Sequence, residues 1–296
     1  MAKNILHMIT PLAHMSPFDV NMAIDAGYDV TASYTSVSLD EITDLVQDAM
    51  FSRSPRDATR TGVFIGGKDA LLALDMLDAA GKALFKPFEI SLFADPAGSF
   101  TTAAAMIAIV EKTLKEKKDR ALGGVSVSVF GATGVVGTAS AVIAALEGAS
   151  VTLVARDGSD RTARHAAEIN RRFGVNLAVA DGSTPQSRAA ILTGAEVVLA
   201  AAKAGVRVID SGEIAGATKL LIAADVNAVP PSGIEGVDAH ANGTPVGEHG
   251  ALGIGALAIG NVKYRTESGL FKQMTESKTP LRLDFRQAFD LARTLA

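Results

Sequence analysis

The glycine spacing in Gly131-Ala-Thr-Gly-Val-Val-Gly137 is the clearest chemical statement in this chain. A turn this tight needs residues without Cβ, and their absence lets the backbone approach a pyrophosphate closely. The free N–H groups at the start of the following helix, with its dipole, then offer an anion site that needs no basic side chain. The spacing is Gly-x-x-Gly-x-x-Gly, so the commoner Gly-x-Gly-x-x-Gly form is met only with Ala132 in place of a glycine. Candidate cofactor contacts here are Gly131, Ala132, Thr133, Gly134, Val135 and Val136. Arg156 follows where a ribose 2′-hydroxyl is usually met by Asp or Glu and a 2′-phosphate by Arg. With Arg161 and Arg164 close behind, the adenosine end reads as electropositive and favours NADP. The alternative is one solvated helix face answering Asp157 and Asp160. Asp157 can also accept from a ribose hydroxyl, which leaves NAD open.

The elements that must position these residues are legible around them. Val125, Val127 and Val129 alternate as a strand, Thr138 to Leu146 suits a helix packed on a sheet, and Ser150 to Ala155 closes a βαβ unit. Upstream, strand-like runs at Asn4 to Ile9, Gly62 to Ile65 and Phe88 to Ala94 alternate with helix-like runs at Asp19 to Ala26, Leu39 to Ala49, Asp69 to Ala80 and Thr101 to Thr113. That pattern is a second α/β domain. The charged segment Glu111 to Arg120 reads as a solvated helix end at an interdomain crossing. Downstream, Ala195 to Ala200, Arg207 to Asp210 and Leu220 to Asp225 read as further strands, followed by a glycine-rich stretch from Gly247 to Gly260 and a helical tail from Thr266 to Ala296 that returns to the first domain. The expected architecture is therefore α/β in two domains, residues 1–112 with 265–296 and residues 113–264, the latter of Rossmann type.

Composition narrows the class. With 28 basic and 32 acidic residues the chain has a formal net charge of −4, which gives no general footprint for nucleic acid. No apolar run approaches the ~18 residues of a membrane span without glycine or charge. The start, Met1 to His7, lacks the apolar core of a secretory signal, so a cytoplasmic location is expected. Cysteine is absent, which excludes disulfides, thiolate metal sites and a cysteine nucleophile.

Missing chemistry narrows the reaction as well. Tyr28, Tyr34 and Tyr264 have no lysine three or four residues later, so the Tyr–Lys pair of many alcohol oxidoreductases is not present. His7, His14, His165, His240 and His249 show no metal-binding helical spacing, and no Ser-His-Asp system is apparent. Neither metal nor flavin is expected.

Four blocks in order carry a resemblance over nearly the whole chain: Ser16-Pro-Phe-Asp-Val-Asn-Met-Ala-Ile-Asp-Ala-Gly27, Phe93-Ala-Asp-Pro-Ala-Gly-Ser-Phe-Thr-Thr-Ala-Ala-Ala105, Asp225-Val-Asn-Ala-Val-Pro-Pro231 and Gly250-Ala-Leu-Gly-Ile-Gly-Ala-Leu257. Together they resemble the NAD(P)-dependent methylene-tetrahydromethanopterin dehydrogenases of methylotrophic bacteria, in the branch that uses either dinucleotide. The resemblance implies a pterin-binding domain and an NADP-binding Rossmann domain with the active site in the cleft between them. It implies oxidation of the methylene form of tetrahydromethanopterin to the methenyl form during formaldehyde oxidation, by a homo-oligomer. Alternatives are the same reaction on methylene-tetrahydrofolate, which shares the pterin head, and a redox sensor that binds NADP without turnover.

Asp19 and Asp95, each in a matching block near the end of a first-domain strand, are the carboxylates expected to face the pterin and favour the cation formed on hydride loss. Their alternative role is capping a helix N-terminus. His14, Ser16 and Phe18 suit the lining of a pterin pocket, and Gly98, Ser99, Thr101 and Thr102 a cradle for polar substrate groups. On the cofactor side, Ala200 and Ala201 leave room for a nicotinamide ribose, Asp225 and Asn227 end the next strand, and Gly253, Ile254 and Gly255 permit close approach or simply serve turns. Lys263 is placed to steer a phosphate or the carrier's anionic tail, with an ordinary surface lysine as the alternative.

Overall fold

The computed structural model describes residues 2–296. Along the chain run β1 (Ile5–Ile9), α1 (Pro17–Asp25), β2 (Val30–Tyr34), α2 (Ile42–Phe51), β3 (Thr61–Ile65), α3 (Ala70–Ala83), β4 (Ser91–Ala94) and α4 (Ser99–Lys118). Then follow β5 (Ser126–Phe130), α5 (Val135–Leu146), β6 (Ser150–Ala155), α6 (Asp160–Phe173), β7 (Ala178–Asp181), α7 (Pro185–Leu192), β8 (Val197–Ala200), α8 (Ser211–Gly216) and β9 (Ile222–Asp225). The chain ends through β10 (Asn242–Val246), β11 (Ala251–Ile254), α9 (Ala256–Glu276), β12 (Arg282–Leu283) and α10 (Phe285–Leu295). Among the described residues no helix is long and apolar enough to cross a membrane.

Two compact units divide these elements. The first holds residues 2–101, Tyr264–Leu291 and Leu295, and the second Thr102–Lys263, Ala292–Thr294 and Ala296. The chain leaves the first unit within α4 and re-enters it within α9, so the division falls at Thr101 and not at the expected residue 112. A charged run such as Glu111 to Lys118 marks the solvated end of a helix, and α4 runs on through the division without a break.

The first unit is a five-stranded sheet in the order β12-β4-β3-β1-β2, parallel throughout. Parallel strands flanked by helices are buried on both faces and read as continuous apolar runs. Every residue of β3 and β4 is buried accordingly. Phe64 of β3, Phe93 of β4 and Phe271 of α9 pack with ring centroids 5.2 to 5.5 Å apart in its core. β2 escapes sequence reading because it is an edge strand, half exposed and without an apolar run.

The second unit carries seven strands in the order β10-β11-β9-β8-β5-β6-β7, parallel except for the antiparallel edge strand β10. From β5 the chain builds outward through β6 and β7, then crosses back to β8 and β9 on the other side. That reversal opens a crevice beyond the carboxyl ends of β5 and β8, where open α/β sheets bind ligands. Residues 207–210, expected as a strand, contribute only a bridge between Ile209 and Ile234. The expected glycine-rich stretch is a turn at residues 247–250 followed by strand β11 and the start of α9, with Gly253 and Gly255 at tight packing positions.

Candidate functional site

The glycine turn lies at this crevice, between β5 and α5. Gly131 has φ +74°, and a Cβ there would sit 2.4 Å from the Ala201 carbonyl oxygen. A Cβ on Gly137 would sit 2.4 Å from the Gly131 carbonyl oxygen and 2.9 Å from Ala132 Cα. The first glycine therefore sets the turn against the end of β8, and the third lets α5 lie on it. Gly134 is the N-cap residue of α5, no side chain caps that end, and the residue itself is exposed. The result is a cradle of backbone N–H groups at a helix N-terminus that fits a dinucleotide pyrophosphate. Thr133, Val135 and Val136 line it partly exposed, whereas Ala132 is buried beneath it. Ala201 donates its N–H to the Phe130 carbonyl at 2.9 Å, so the expected contacts at the ends of β5 and β8 do come together.

β6 lies beside β5, and Arg156 follows its last residue. The Arg156 guanidinium is exposed and pairs with Asp157, Nε to Oδ2, at 3.1 Å. Arg161 lies exposed in the first turn of α6.

On the other side of β8 the expectations change. Asp225 ends β9 buried, its Oδ1 accepting from the Asn227 N–H at 2.9 Å and its Oδ2 from the Ile234 N–H at 3.0 Å. Burial pushes its carboxyl above the usual carboxylate range, against the pull of the backbone N–H groups of Asn227, Ile234 and Gly233. Asn227 Oδ1 accepts from the N–H groups of Gly205 and Val229 at 3.1 and 3.0 Å, and its Nδ2 donates to the Pro231 carbonyl at 2.8 Å. Both side chains thus pin the loop after β9. Gly253 and Gly255 also serve packing: a Cβ on the first would meet Val246 Cγ2 at 2.7 Å, and one on the second the Asp238 carbonyl at 2.1 Å. Ile254 between them is fully buried.

In the first unit, β1 leads into a loop that carries His14, exposed, to the start of α1. Ser16 is the N-cap of α1, its Oγ accepting from the Asp19 N–H at 3.4 Å, with Pro17 opening the helix. Asp19 is therefore not the cap that the sequence offers as its alternative role. It stands in the first turn of the helix, 2% exposed, where the helix dipole favours a negative charge. Phe18 beside it is 46% exposed and meets Tyr264 edge to face, with centroids 6.5 Å apart. Tyr264, 49% exposed, carries no sequence signal for a substrate role, because a single tyrosine without a lysine partner has no spacing to recognise.

Asp95 shows the opposite outcome. It is fully buried, and its Oδ1 accepts from the N–H groups of Phe100 and Thr101 at 2.8 and 3.3 Å. Its Oδ2 accepts from the Thr101 hydroxyl at 2.6 Å, and that hydroxyl also lies 3.2 Å from the Gly98 carbonyl. Left-handed backbone at Ala97 and Gly98 folds the chain back tightly enough for this carboxylate to reach the start of α4. Asp95 thus caps the start of α4, the alternative role the sequence offers, and Thr101 is held by it. Ser99 and Thr102 lie in the first turn of α4, partly exposed, so the helix begins two residues before the expected Thr101. Gly98 is buried in the turn before it, and Lys263 lies within α9, partly exposed.

Comparisons with known proteins show the family and the fold. A family described as methylene-tetrahydromethanopterin dehydrogenase, N-terminal, matches residues 17–97. The chain is 51% identical over 296 residues to an NAD(P)-dependent methylenetetrahydromethanopterin dehydrogenase of Methylorubrum extorquens, with 100% of each chain covered. It is 32% identical over 300 residues to the bifunctional protein MdtA of the same organism, again with 100% of each covered. Among solved structures, shikimate 5-dehydrogenase from Listeria monocytogenes, determined with shikimate and NAD, has a TM-score of 0.55 at 14% identity, covering 99% of this chain and 96% of that one. At that identity the likeness concerns the fold alone.

Proposed function

The chain belongs to the family of NAD(P)-dependent methylenetetrahydromethanopterin dehydrogenases, and from that premise we propose that it transfers hydride from the methylene carbon of methylene-tetrahydromethanopterin to a nicotinamide dinucleotide, NADP ahead of NAD. The observation that carries this reading is steric. The places a Cβ would take at Gly131 and Gly137 are filled by backbone, which leaves an uncapped helix N-terminus facing the switch point of the second sheet. Only glycine fits there, and the site it leaves suits a pyrophosphate.

The substrate carbon lies between two nitrogens, so loss of hydride leaves a cation already delocalised over both. No proton moves in that step, and the chemistry requires neither a metal nor a flavin. When bound, the dinucleotide supplies the nicotinamide C4 that accepts the hydride. The chain's own work is positioning, which can supply several kcal/mol of a barrier, about 7 or more in the best cases. Backbone N–H groups at the start of α5 hold the pyrophosphate, and Arg156 reaches the 2′-phosphate. At the carboxyl edge of the first sheet, the half-exposed rings of Phe18 and Tyr264 offer the pterin an apolar platform. The Asp19 carboxylate favours the cation as it forms.

A single spectrophotometric comparison tests this reading, with the methylene forms of tetrahydromethanopterin and tetrahydrofolate each offered to the full chain with NADP and with NAD. The expected result is reduction of NADP, and more slowly of NAD, with the methanopterin carrier. Turnover with the folate carrier alone would replace the substrate, and no reduction with either would overturn the reading.

A further inference from the structure

α6 follows the strand that presents Arg156, and one of its side chains reaches toward the glycine turn. His165 Nε2 lies 2.8 Å from the Thr138 hydroxyl of α5, and that hydroxyl lies 3.2 Å from the carbonyl oxygen of Ala132 inside the turn. Thr138 is buried, as is Ala132. The hydroxyl has one proton to give and the carbonyl can only accept. With the Thr138 proton directed to Ala132, the imidazole must donate through Nε2, a role open both to the neutral Nε2–H tautomer and to the imidazolium. The three groups then form one directed chain, from His165 Nε2–H to Thr138 Oγ1 and from its O–H to the Ala132 carbonyl.

We infer that His165 is a positioning residue for dinucleotide binding, which holds the glycine turn from α6 through the Thr138 hydroxyl. The inference rests on the reading of Gly131 to Gly137 as the dinucleotide cradle. The turn's N–H groups bind an anion only while their peptide planes stay oriented, and the Ala132 carbonyl belongs to the plane that carries the Thr133 N–H. Fixing that carbonyl from below fixes the direction in which the N–H points. The same helix begins just beyond Arg156 and Asp157, so His165 ties the segment that meets the ribose end to the turn that meets the pyrophosphate. A histidine without metal spacing gives no such signal in sequence, because its partners are a threonine 27 residues away and a carbonyl reached only through that threonine.

The test uses the full chain and reads binding directly, by titrating NADPH and NADH fluorescence, alongside KM for each substrate and the melting temperature. His165→Leu and Thr138→Val should each weaken both dinucleotides about three- to ten-fold, the scale of one net hydrogen bond. KM for the methylene carrier should stay at its wild-type value. His165→Gln, whose side-chain amide can donate from a similar position, and Thr138→Ser, which keeps the hydroxyl, should restore affinity to within about two-fold. The double variant should be no worse than either single one, since both break the same chain of bonds. Wild-type affinity in His165→Leu, fully additive losses, or a loss tracking a lowered melting temperature without rescue by Gln would overturn the inference. A wild-type protein that binds neither reduced dinucleotide would instead overturn the reading of the cradle itself.

Discussion

Arg156 and Asp157 are neighbours in sequence and partners in space, with Arg156 Nε 3.1 Å from Asp157 Oδ2 and both side chains 77% exposed. An ion pair so exposed contributes about 0 to 1 kcal/mol, so a 2′-phosphate displaces the carboxylate at little cost. When the phosphate is missing, Asp157 is in place to accept from ribose hydroxyls beside Arg156. One pair thus offers a contact to either dinucleotide. Arg156→Ala should weaken NADP by about 1.5 to 3 kcal/mol, as for a charge-assisted hydrogen bond, and barely change NAD. Asp157→Asn should move the preference the other way, toward NADP. Titration of both cofactors against both variants checks this, and equal losses in Arg156→Ala would make Arg156 a structural residue.

Gly137 and Gly134 differ in what surrounds them, and the difference predicts a ranking. A Cβ on Gly137 would collide with backbone at 2.4 Å, whereas one on Gly134 would lie 3.3 Å from the Gly131 carbonyl. Gly137→Ala should therefore force α5 away from the turn and abolish NADPH binding. Gly134→Ala should retain measurable binding. Fluorescence titration of the two variants decides, and equal affinity would show that the turn yields more readily than its packing implies.

How much of this was legible in the sequence depends on where each signal lives. The Val125 to Gly137 run and the strand that follows it announced the dinucleotide unit, because both strand alternation and glycine steric need are local properties. The buried strands β3, β4, β8 and β9 were likewise visible as short apolar runs. β2, β7 and β10 were not, since edge strands carry half-exposed, mixed residues. The site divided along the same line. Asp95, Asp225 and Asn227 stand where ligands are often met, at the ends of parallel strands, and nothing local distinguishes a carboxylate that faces a ligand from one that pins a loop. That distinction rests on N–H groups as far away as Ile234, nine residues beyond Asp225. Tyr264 and His165 were invisible for the converse reason, because their partners Phe18 and Thr138 lie far away in sequence.

His7 gives the first unit a predictable pH response. Its Nδ1 lies 3.0 Å from the Tyr34 hydroxyl across the β1–β2 pair. Burial, and then the charge of Arg53, hold its pKa below the usual value of 6.5. The folded protein therefore binds this proton less readily than the unfolded chain does. The stability contributed by a neutral His7 is complete above about pH 6.5 and is lost as pH falls toward the folded value. The melting temperature should fall more steeply between about pH 7 and pH 5 in the wild type than in His7→Gln, which cannot titrate. Parallel slopes would remove His7 from the pH response.

Tyr264 should contribute to carrier binding through its exposed ring. Tyr264→Ala removes the edge-to-face partner of Phe18, an arrangement worth about 0.5 to 1.5 kcal/mol between rings. The expected result is a KM for the methylene carrier raised by about two- to ten-fold at unchanged dinucleotide affinity, with Tyr264→Phe close to wild type. If both variants match the wild type in carrier KM, the pair is a surface contact without a ligand.

Asp19 and Asp95 separate by substitution at each position. Asp19 stands inside α1 beyond its Ser16 cap, so Asp19→Asn keeps the shape, removes the charge and leaves the cap in place. Turnover with the methylene carrier should fall while the dinucleotide affinity holds and the melting temperature drops only by the small contribution of a charge at a helix N-terminus. Asp95 instead satisfies two N–H groups and a hydroxyl at the start of α4. Asp95→Ala removes the acceptor of both N–H groups and leaves the hydroxyl only the Gly98 carbonyl, and should cost about 2 kcal/mol or more of stability. Asp95→Asn keeps one oxygen for the N–H groups, and its amide can donate to the Thr101 hydroxyl, so its melting temperature should lie between the two. The crossed result is the informative one. Wild-type turnover in Asp19→Asn would return that carboxylate to the helix, and lost turnover at full stability in Asp95→Asn would put the buried carboxylate back among the groups that act on the substrate.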